Sequence, residues 1–192
     1  MKKKRLVRRR LAPEARREEL IDAAIKVMRE QGDVVPRISD VTSAAGAAKG
    51  TFYLYFASWD ELVIAVRDRL TEGIRAGMKL RAEGVKADEW RDFLEQEAER
   101  FVDDLLGLGP LHQAIFHGPS SFRSTGVGSP AVVFVSHLLE RGIKAGAFQI
   151  KDVPTAGLLL FSAWHAVGDA ISRGGDRRKL LEGLNGLMRS WL

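Results

Sequence analysis

The sequence predicts an all-α protein in which three N-terminal helices precede a larger helical domain. Apolar residues recur three and four positions apart along most of the 192 residues, which places them on single faces of α-helices. Glycine and proline divide these patterns into segments of helical length. We therefore expect a disordered basic arm over residues 1–12, a small domain over residues 13–57 and a larger one over residues 58–192.

The N-terminal arm carries most of the positive charge. Its basic residues are Lys2, Lys3, Lys4, Arg5, Arg8, Arg9 and Arg10. The net charge is +5, so removing these seven charges leaves −2 for the rest of the chain. Such an arm suits contacts with nucleic-acid phosphates or entry into a minor groove, and the alternative is a solubilising tail.

Composition excludes several classes of protein. The chain has no cysteine, which excludes disulfides, thiolate metal sites and cysteine nucleophiles. The first residues lack the apolar core of a secretory signal, and the most apolar stretch, residues 156–171, falls short of the roughly 20 residues that cross a bilayer. We expect a cytoplasmic protein without a membrane segment.

The first three helices are predicted from their turns. Pro13 suits the first turn of one helix, and Gly32 suits its end. Ile38, Val41 and Ala45 then share one face of a second helix, which Gly46 ends at a tight corner. The third pattern, residues 47–55, directs Phe52 and Phe56 inward and leaves Lys, Thr and Tyr side chains for a partner. This arrangement is typical of a helix-turn-helix, and those side chains suit phosphates and base edges.

Residues 45–56, AGAAKGTFYLYF, and residues 58–62, SWDEL, resemble the DNA-binding domain of the TetR family of bacterial transcriptional regulators. The resemblance extends over about residues 17–70. It implies a dimeric, ligand-responsive repressor of a palindromic operator, with an all-helical second domain that binds a small-molecule effector. The DNA-facing residues that it implies, with the neighbouring Arg37 added for its charge, are Arg37, Thr42, Ser43, Lys49, Gly50, Thr51, Tyr53 and Tyr55.

Three positions depart from the family pattern. Pro36-Arg37 replaces a pair of threonines before the second helix, Ala48 replaces a capping serine, and Trp59 replaces a phosphate-binding lysine. Each departure removes a polar contact. We expect Arg37 and the basic arm to compensate for these losses.

The remaining helices are delimited by the same kinds of capping and helix-ending residues. Ser58 and Glu61 form a capping box that starts a fourth helix, whose end we expect near Gly77. Helical patterns then cover residues 88–108, 111–117, 132–145, 154–173 and 176–192, with a Gly-, Ser- and Pro-rich loop over residues 118–130.

The last two helices are joined only by Gly174-Gly175, which predicts an antiparallel hairpin. Their apolar faces are wide enough to meet a second copy of the chain, and the alternative is a deep core within one chain. The residues expected at the dimer interface are Leu160, Trp164, Leu180, Leu184, Leu187, Met188 and Trp191.

Aromatic and polar residues of the second domain suit a small-molecule cavity, although they also describe an ordinary core. The candidates are Trp90, Phe93, Glu97, Phe101, His112, Phe116, His117, Phe122, Phe134, His137, Trp164 and His165. We expect a hydrophobic or planar effector.

The sequence offers little support for catalysis or for a cofactor. His112 and His117 lie five positions apart, which misses the spacing that puts two ligands on one face of an α-helix. No HExxH, GxSxG or phosphate-binding loop occurs. We predict no metal site and no cofactor; the alternatives to a regulator are a DNA-packaging protein or a helical enzyme.

Overall fold

The computed structural model describes residues 12–32, 36–117 and 126–192, and these residues form helices without any strand. The basic residues of the arm and Phe122 lie outside the described residues. The α-helices are α1 Pro13–Gln31, α2 Ile38–Ala44, α3 Lys49–Phe52, α4 Trp59–Arg81, α5 Trp90–Gly107, α6 Pro110–His112, α7 Pro130–Lys144, α8 Val153–Ser172 and α9 Arg177–Trp191. A 3-10 turn, Ala87–Glu89, precedes α5, and a single π-helical turn, Gln113–His117, continues α6. None of the described helices has the length and apolarity needed to span a bilayer.

The first hydrophobic core joins α1, α2 and α3 to parts of the chain beyond residue 57. Leu20 and Phe52 lie at its centre with no exposed surface, and Leu62 of α4 is equally buried against them. Leu111 of α6 and Ile115 of the π turn belong to the same core. The N-terminal bundle therefore packs on α4 and on the α6 region, while the division at residue 57 remains a prediction.

The second core lies between α5, α7, α8 and α9 and takes in the end of α4. Leu94, Leu139 and Trp164 are fully buried in it. Helices α7 and α8 approach closely at Gly157, where an added Cβ would lie 2.1 Å from the Ser136 hydroxyl. Because α4 contributes to both cores, any movement of this helix acts on both.

Helix α4 is longer than predicted. It continues past Gly77 to Arg81 because Met78 and Ala82 are buried in the second core, with 3% and 1% of their surface exposed. Burial of these apolar side chains outweighs the low helix propensity of one glycine.

Candidate DNA interface, effector cavity and histidine cluster

The corner between α2 and α3 is closed by Gly46, as predicted. Its φ of 60° lies in the left-handed region that glycine adopts readily. The Ala47 amide donates to the Thr42 carbonyl at 2.8 Å, which ends α2. Helix α3 is only four residues long, and the Phe56 amide, donating to the Phe52 carbonyl at 3.0 Å, holds the following turn.

The start of α2 has a cap that the sequence analysis missed. The Arg37 amide donates to Asp40 Oδ2 at 2.8 Å, which is the half of a capping box that the third helical residue supplies. The half that a threonine hydroxyl would supply is absent, because the Arg37 side chain accepts no bond from the helix. Ala48 provides no such bond at the start of α3. At α4 the Glu61 amide donates to Ser58 Oγ at 3.2 Å, as the predicted capping box requires, but the Glu61 carboxylate accepts from the Ala57 amide instead.

The recognition segment, residues 49–55, presents most of its predicted contact residues to solvent. Lys49 and Gly50 are exposed, Tyr53 is 54% exposed, and Thr51 and Tyr55 are half-buried. Phe52 and Phe56 are buried, as predicted. Arg37 and Ser43 are also exposed.

Two residues of this surface differ from the prediction. Thr42 is 3% exposed, and its hydroxyl donates to the Ser39 carbonyl at 3.2 Å, so its side chain is unavailable to DNA. Leu54, which the sequence analysis missed, is 78% exposed. An apolar side chain at this position suits contact with a thymine methyl group. Its exposure depends on the turn that follows α3, so the spacing of apolar residues along a helix could not predict it.

A cavity of about 240 Å³ lies between α4, α5, α7 and α8. Five of the predicted ligand residues line it: Phe101, Phe116, Phe134, Trp164 and His165. Its other lining residues are Arg67, Asp68, Thr71, Ile74, Arg75, Met78, Ser129, Pro130, Ala131, Val135, Phe161, Ser162, Ala166 and Asp169.

The other predicted ligand residues are placed elsewhere by the structure. Trp90 and Phe93 pack edge to face within the second core. Glu97 is fully buried, and both of its carboxylate oxygens accept from arginines rather than facing the cavity. His137 is exposed on α7. His112 is absent from the cavity lining, as is His117.

Polar residues of α4 form one wall of the cavity, and the sequence analysis missed them. The Arg67 side chain is only 11% exposed, and its Nη2 lies 3.7 Å from Asp68 Oδ1. Burial lowers the pKa of Arg67; Asp68 opposes this effect and nearby Arg75 adds to it. A guanidinium held in this environment is stabilised by any anion that enters the cavity.

Beside the cavity, three histidines meet the carboxylate of Asp169. His117 Nε2 lies 2.9 Å and His112 Nε2 lies 3.1 Å from Asp169 Oδ1, and His165 Nδ1 lies 3.6 Å from Asp169 Oδ2. Asp169 is 8% exposed and His112 is 4% exposed. The spacing of four residues between His165 and Asp169 was a readable signal that the sequence analysis did not use.

The π turn explains why the argument from spacing failed for His112 and His117. In a π-helix the backbone hydrogen bonds join residues five apart, so such residues stack on one face. The two rings lie with their centroids 5.0 Å apart. The expectation that this pair cannot share a site is therefore wrong.

Burial keeps two of these imidazoles neutral. It lowers the pKa of His112 to about 4, an effect that His165, His117 and Arg173 reinforce and that Asp169 opposes. Burial also lowers the pKa of His165. At neutral pH each ring therefore has one nitrogen with a free lone pair.

The hairpin of α8 and α9 divides the predicted dimer residues into two groups. Leu160, Trp164, Leu184 and Met188 are at most 5% exposed, and Trp164 Nε1 donates to Met188 Sδ at 3.4 Å within the chain. These four residues belong to the core, which corrects the prediction. Leu180 is half-buried, and Leu187 and Trp191 are 55% and 40% exposed. Leu159, at 54% exposed, lies on the outer face of α8 and was not predicted.

The N-terminal helices have clear relatives. Residues 20–66 match the model of the family described as bacterial regulatory proteins, tetR family. The chain is 45% identical over 53 residues to YvdT, an uncharacterized HTH-type transcriptional regulator of Bacillus subtilis (strain 168), and 36% identical over 87 residues to the HTH-type transcriptional regulator CymR of Pseudomonas putida. These stretches cover 28% and 44% of this chain, and the chain spans only 27% and 43% of those curated relatives.

Solved structures resemble the chain over most of its length. RolR in complex with the ligand resorcinol superposes with a TM-score of 0.64 at 21% identity, covering 92% of this chain and 86% of RolR. A TetR-family transcriptional regulator from Syntrophomonas wolfei str. Goettingen gives a TM-score of 0.68 at 13% identity, covering 93% and 95%. Such identities show the fold alone, while the family match covers the recognition segment. Residues 20–66 therefore match the TetR family of bacterial transcriptional regulators, and the chain as a whole shares its fold with TetR-family structures.

Proposed function

We propose that the protein is a ligand-responsive transcriptional repressor that binds a palindromic DNA operator as a homodimer. The observation that carries this proposal is the exposure of Lys49 and Tyr53 on a segment whose Phe52 and Phe56 are anchored in the first core. Such a segment offers charge and hydroxyls to phosphates and base edges without loss of core packing.

The outer face of α8 and α9 supports the homodimer. Leu159, Leu187 and Trp191 are large apolar side chains left exposed there, beside the small residues Ala166 and Gly183, which permit close approach of a second backbone. A two-fold axis through this face pairs identical surfaces and presents two recognition segments. Adjacent major grooves require those segments to lie about 34–36 Å apart.

Helix α4 connects effector binding to DNA binding in this proposal. Its first half packs Leu62 and Val66 into the first core, while Arg67 and Ile74 line the cavity. A ligand that fits the cavity only after α4 moves therefore changes the spacing of the two recognition segments. A tenfold loss of operator affinity requires only about 1.4 kcal/mol of differential binding.

The cavity favours a small effector with an aromatic body and an anionic group. Its volume of about 240 Å³ lies below the roughly 300–1,000 Å³ usual for ligand sites. Phe101, Phe116 and Phe161 supply apolar walls. Buried Arg67 supplies a positive charge that Asp68, 3.7 Å away, balances only weakly. A small aromatic carboxylate satisfies both features.

The test of DNA binding compares two lysine variants. Operator fragments selected from genomic DNA by the full-length protein are used to measure affinity for wild type, Lys49→Ala and the control Lys151→Ala, which changes an exposed lysine before α8. Lys49→Ala is expected to bind about tenfold more weakly, because one phosphate or base contact is worth roughly 1–3 kcal/mol. Equal affinity of the two variants contradicts the proposed interface, and uniform protection of DNA in a footprint favours packaging instead.

The test of effector control uses a panel of aromatic carboxylic acids. A compound that releases wild-type protein from its operator is expected to have little effect on Arg67→Met, whose own operator affinity is retained. Release of both proteins at equal compound concentration contradicts a role for Arg67. If no cavity-binding compound changes operator affinity, effector control itself is wrong.

A further inference from the structure

We propose that His112, His117, His165 and Asp169 bind a divalent transition-metal ion of the class to which Zn²⁺ belongs. This site goes beyond the proposed function, because a repressor that an effector releases from DNA requires no metal. The ion would hold the π turn against α8, and so would join the two cores of the molecule.

The distances already approach those of a metal site. One potential ligand atom from each of the four side chains lies within 4.8 Å of every other. Zinc bonds of roughly 2.0–2.2 Å in tetrahedral geometry place neighbouring ligands roughly 3.4 Å apart. Rotamer adjustments of about an ångström therefore suffice, and the backbone of α8 or the π turn need not rebuild.

A buried ring nitrogen without a hydrogen bond is the second observation. His112 Nε2 lies 3.1 Å from Asp169 Oδ1, yet it is misaligned for a hydrogen bond and has no partner among the described residues. Buried polar atoms in native proteins nearly always have partners, so this nitrogen indicates an occupant beside Asp169. His165 faces the same carboxylate with its Nδ1, 3.6 Å from Asp169 Oδ2, and this nitrogen is the one available as a ligand.

The alternative is a hydrogen-bond network formed by the protein alone. His117 Nε2 and Asp169 Oδ1, 2.9 Å apart, fit such a network. However, among the described residues the only groups within ion-pair distance of Asp169 are the three histidines. A nearly buried carboxylate without a lysine or arginine carries a large desolvation cost, which a divalent cation offsets.

The donor set selects the class of ion. Three imidazole nitrogens and one carboxylate oxygen suit Zn²⁺, Co²⁺, Ni²⁺ or Cu²⁺, whereas Mg²⁺ and Ca²⁺ prefer oxygen ligands. Four protein ligands complete a tetrahedron, which is typical of structural zinc. His117, whose side chain is 31% exposed, provides the route by which the ion exchanges with solvent.

The position of the site suggests its consequence. His112 follows Leu111, which is fully buried in the first core, and His165 follows Trp164, which is fully buried in the second. An ion bound by ligands from both segments opposes separation of the π turn from α8. Metal occupancy therefore stabilises the arrangement of the N-terminal bundle relative to the cavity.

The test measures metal binding directly, in the absence of DNA. Tag-free, full-length protein is stripped with a chelator, dialysed and titrated with Zn²⁺ by calorimetry and with Co²⁺ by visible absorption. Wild type is expected to bind one ion per chain and to show the intense d–d bands of tetrahedral Co²⁺. His165→Gln and Asp169→Asn are expected to lose about 10–100-fold in affinity, on the scale seen for perturbed metal sites. His137→Gln, which removes the exposed histidine of α7, is the matched control and is expected to bind as wild type does.

Two outcomes overturn the site. One is a wild-type protein without stoichiometric Co²⁺ bands, and the other is affinity for Zn²⁺ that is the same in wild type, His165→Gln and Asp169→Asn. Circular dichroism checks that each variant is folded, and if the variants fail to fold, the wild-type Co²⁺ spectrum alone decides. Because operator affinity does not enter these measurements, a negative result leaves the repressor proposal standing.

Discussion

Two of the buried carboxylates among the described residues, Glu97 and Asp169, have different surroundings. Glu97 of α5 is fully buried, and Arg81 donates to both of its oxygens at 2.6 and 2.7 Å, with Arg100 at 3.2 Å from one of them. Within residues 12–32, 36–117 and 126–192, the ion-pair partners of Asp169 of α8 are all histidines. Arginine keeps its charge at every accessible pH, whereas imidazole exchanges its proton or binds a metal. Glu97 is therefore a structural ion pair, and Asp169 belongs to a site that can change state.

The largest loss of stability is expected from Arg81→Met. Among the described residues, this variant leaves Arg100 as the one remaining arginine on buried Glu97. Breaking a buried pair costs about 3–5 kcal/mol. We expect about 3 kcal/mol here, since the Arg81 side chain is 39% exposed and is partly screened by solvent. Urea denaturation measures the free energy of unfolding. The control, Arg178→Met, removes an 85% exposed side chain and is expected to change the stability by less than about 0.5 kcal/mol.

The next-largest effect is expected in the dependence of stability on pH. Because the pKa of His112 is about 4 in the folded state and 6.5 for an unperturbed histidine, the unfolded chain binds more protons between these values. In chelator-treated protein, stability therefore falls as the pH drops from 6.5 towards 4. We expect His112→Gln to remove on the order of 2 kcal/mol of this dependence. His137→Gln is expected to keep the wild-type profile, and an unchanged profile in His112→Gln would show that His112 is not buried in the neutral form.

A smaller effect is expected from Asp169→Asn in metal-free protein. The amide keeps the shape of the side chain and removes a charge that pairs with no arginine or lysine in the described part of the chain, so the loss of histidine contacts is partly offset. We expect the free energy of unfolding to change by less than about 1 kcal/mol. A loss as large as that of Arg81→Met in the same denaturation assay would mean that the two carboxylates are equivalent.

The smallest loss of stability is expected at a third buried carboxylate, Glu95, whose arginine partner is exposed to solvent. Arg189 donates to both oxygens of Glu95 at 2.6 and 2.7 Å, as Arg81 does for Glu97, but its side chain is 65% exposed. Water already screens the exposed Arg189, so its removal costs less than that of Arg81, although the Glu95 side chain is only 12% exposed. Arg189→Met should therefore shift the thermal midpoint less than Arg81→Met does, and a comparable shift would show that pairing geometry matters more than burial.

Much of the recognition region was predictable because its signals are local. Gly46 marks the corner, and Ser58 with Glu61 marks the start of α4, since a positive φ and an N-cap are decided within a few residues. The exposure of Lys49 and Tyr53 follows from the burial of Phe52 and Phe56 on the opposite side. The prediction that Thr42 faces DNA was wrong, because the position of Thr42 on α2 relative to α1 decides its burial. Spacing along one helix does not contain that information.

The cavity and the histidine cluster were predictable only in part. Phe101, Phe134 and His165 were correctly placed at a cavity, because aromatic residues beside polar tips are typical of such walls. Glu97 was misplaced because its partner Arg81 lies sixteen residues away on another helix. His112 and His117 were named as candidate cavity residues, but they were rejected as a pair of metal ligands on α-helical spacing, which the π turn does not follow.

The sequence by itself determined the helical fold, the corner at Gly46, the chemistry of the recognition segment and the match of residues 20–66 to the TetR family. These properties depend on interactions between residues a few positions apart. Only the tertiary structure decided which apolar faces of α8 and α9 are core, which carboxylate is paired with arginine, and that three histidines converge on Asp169. The physical reason is that burial and pairing are set by the packing of helices distant in sequence, where several partners of the same chemical type compete for each side chain.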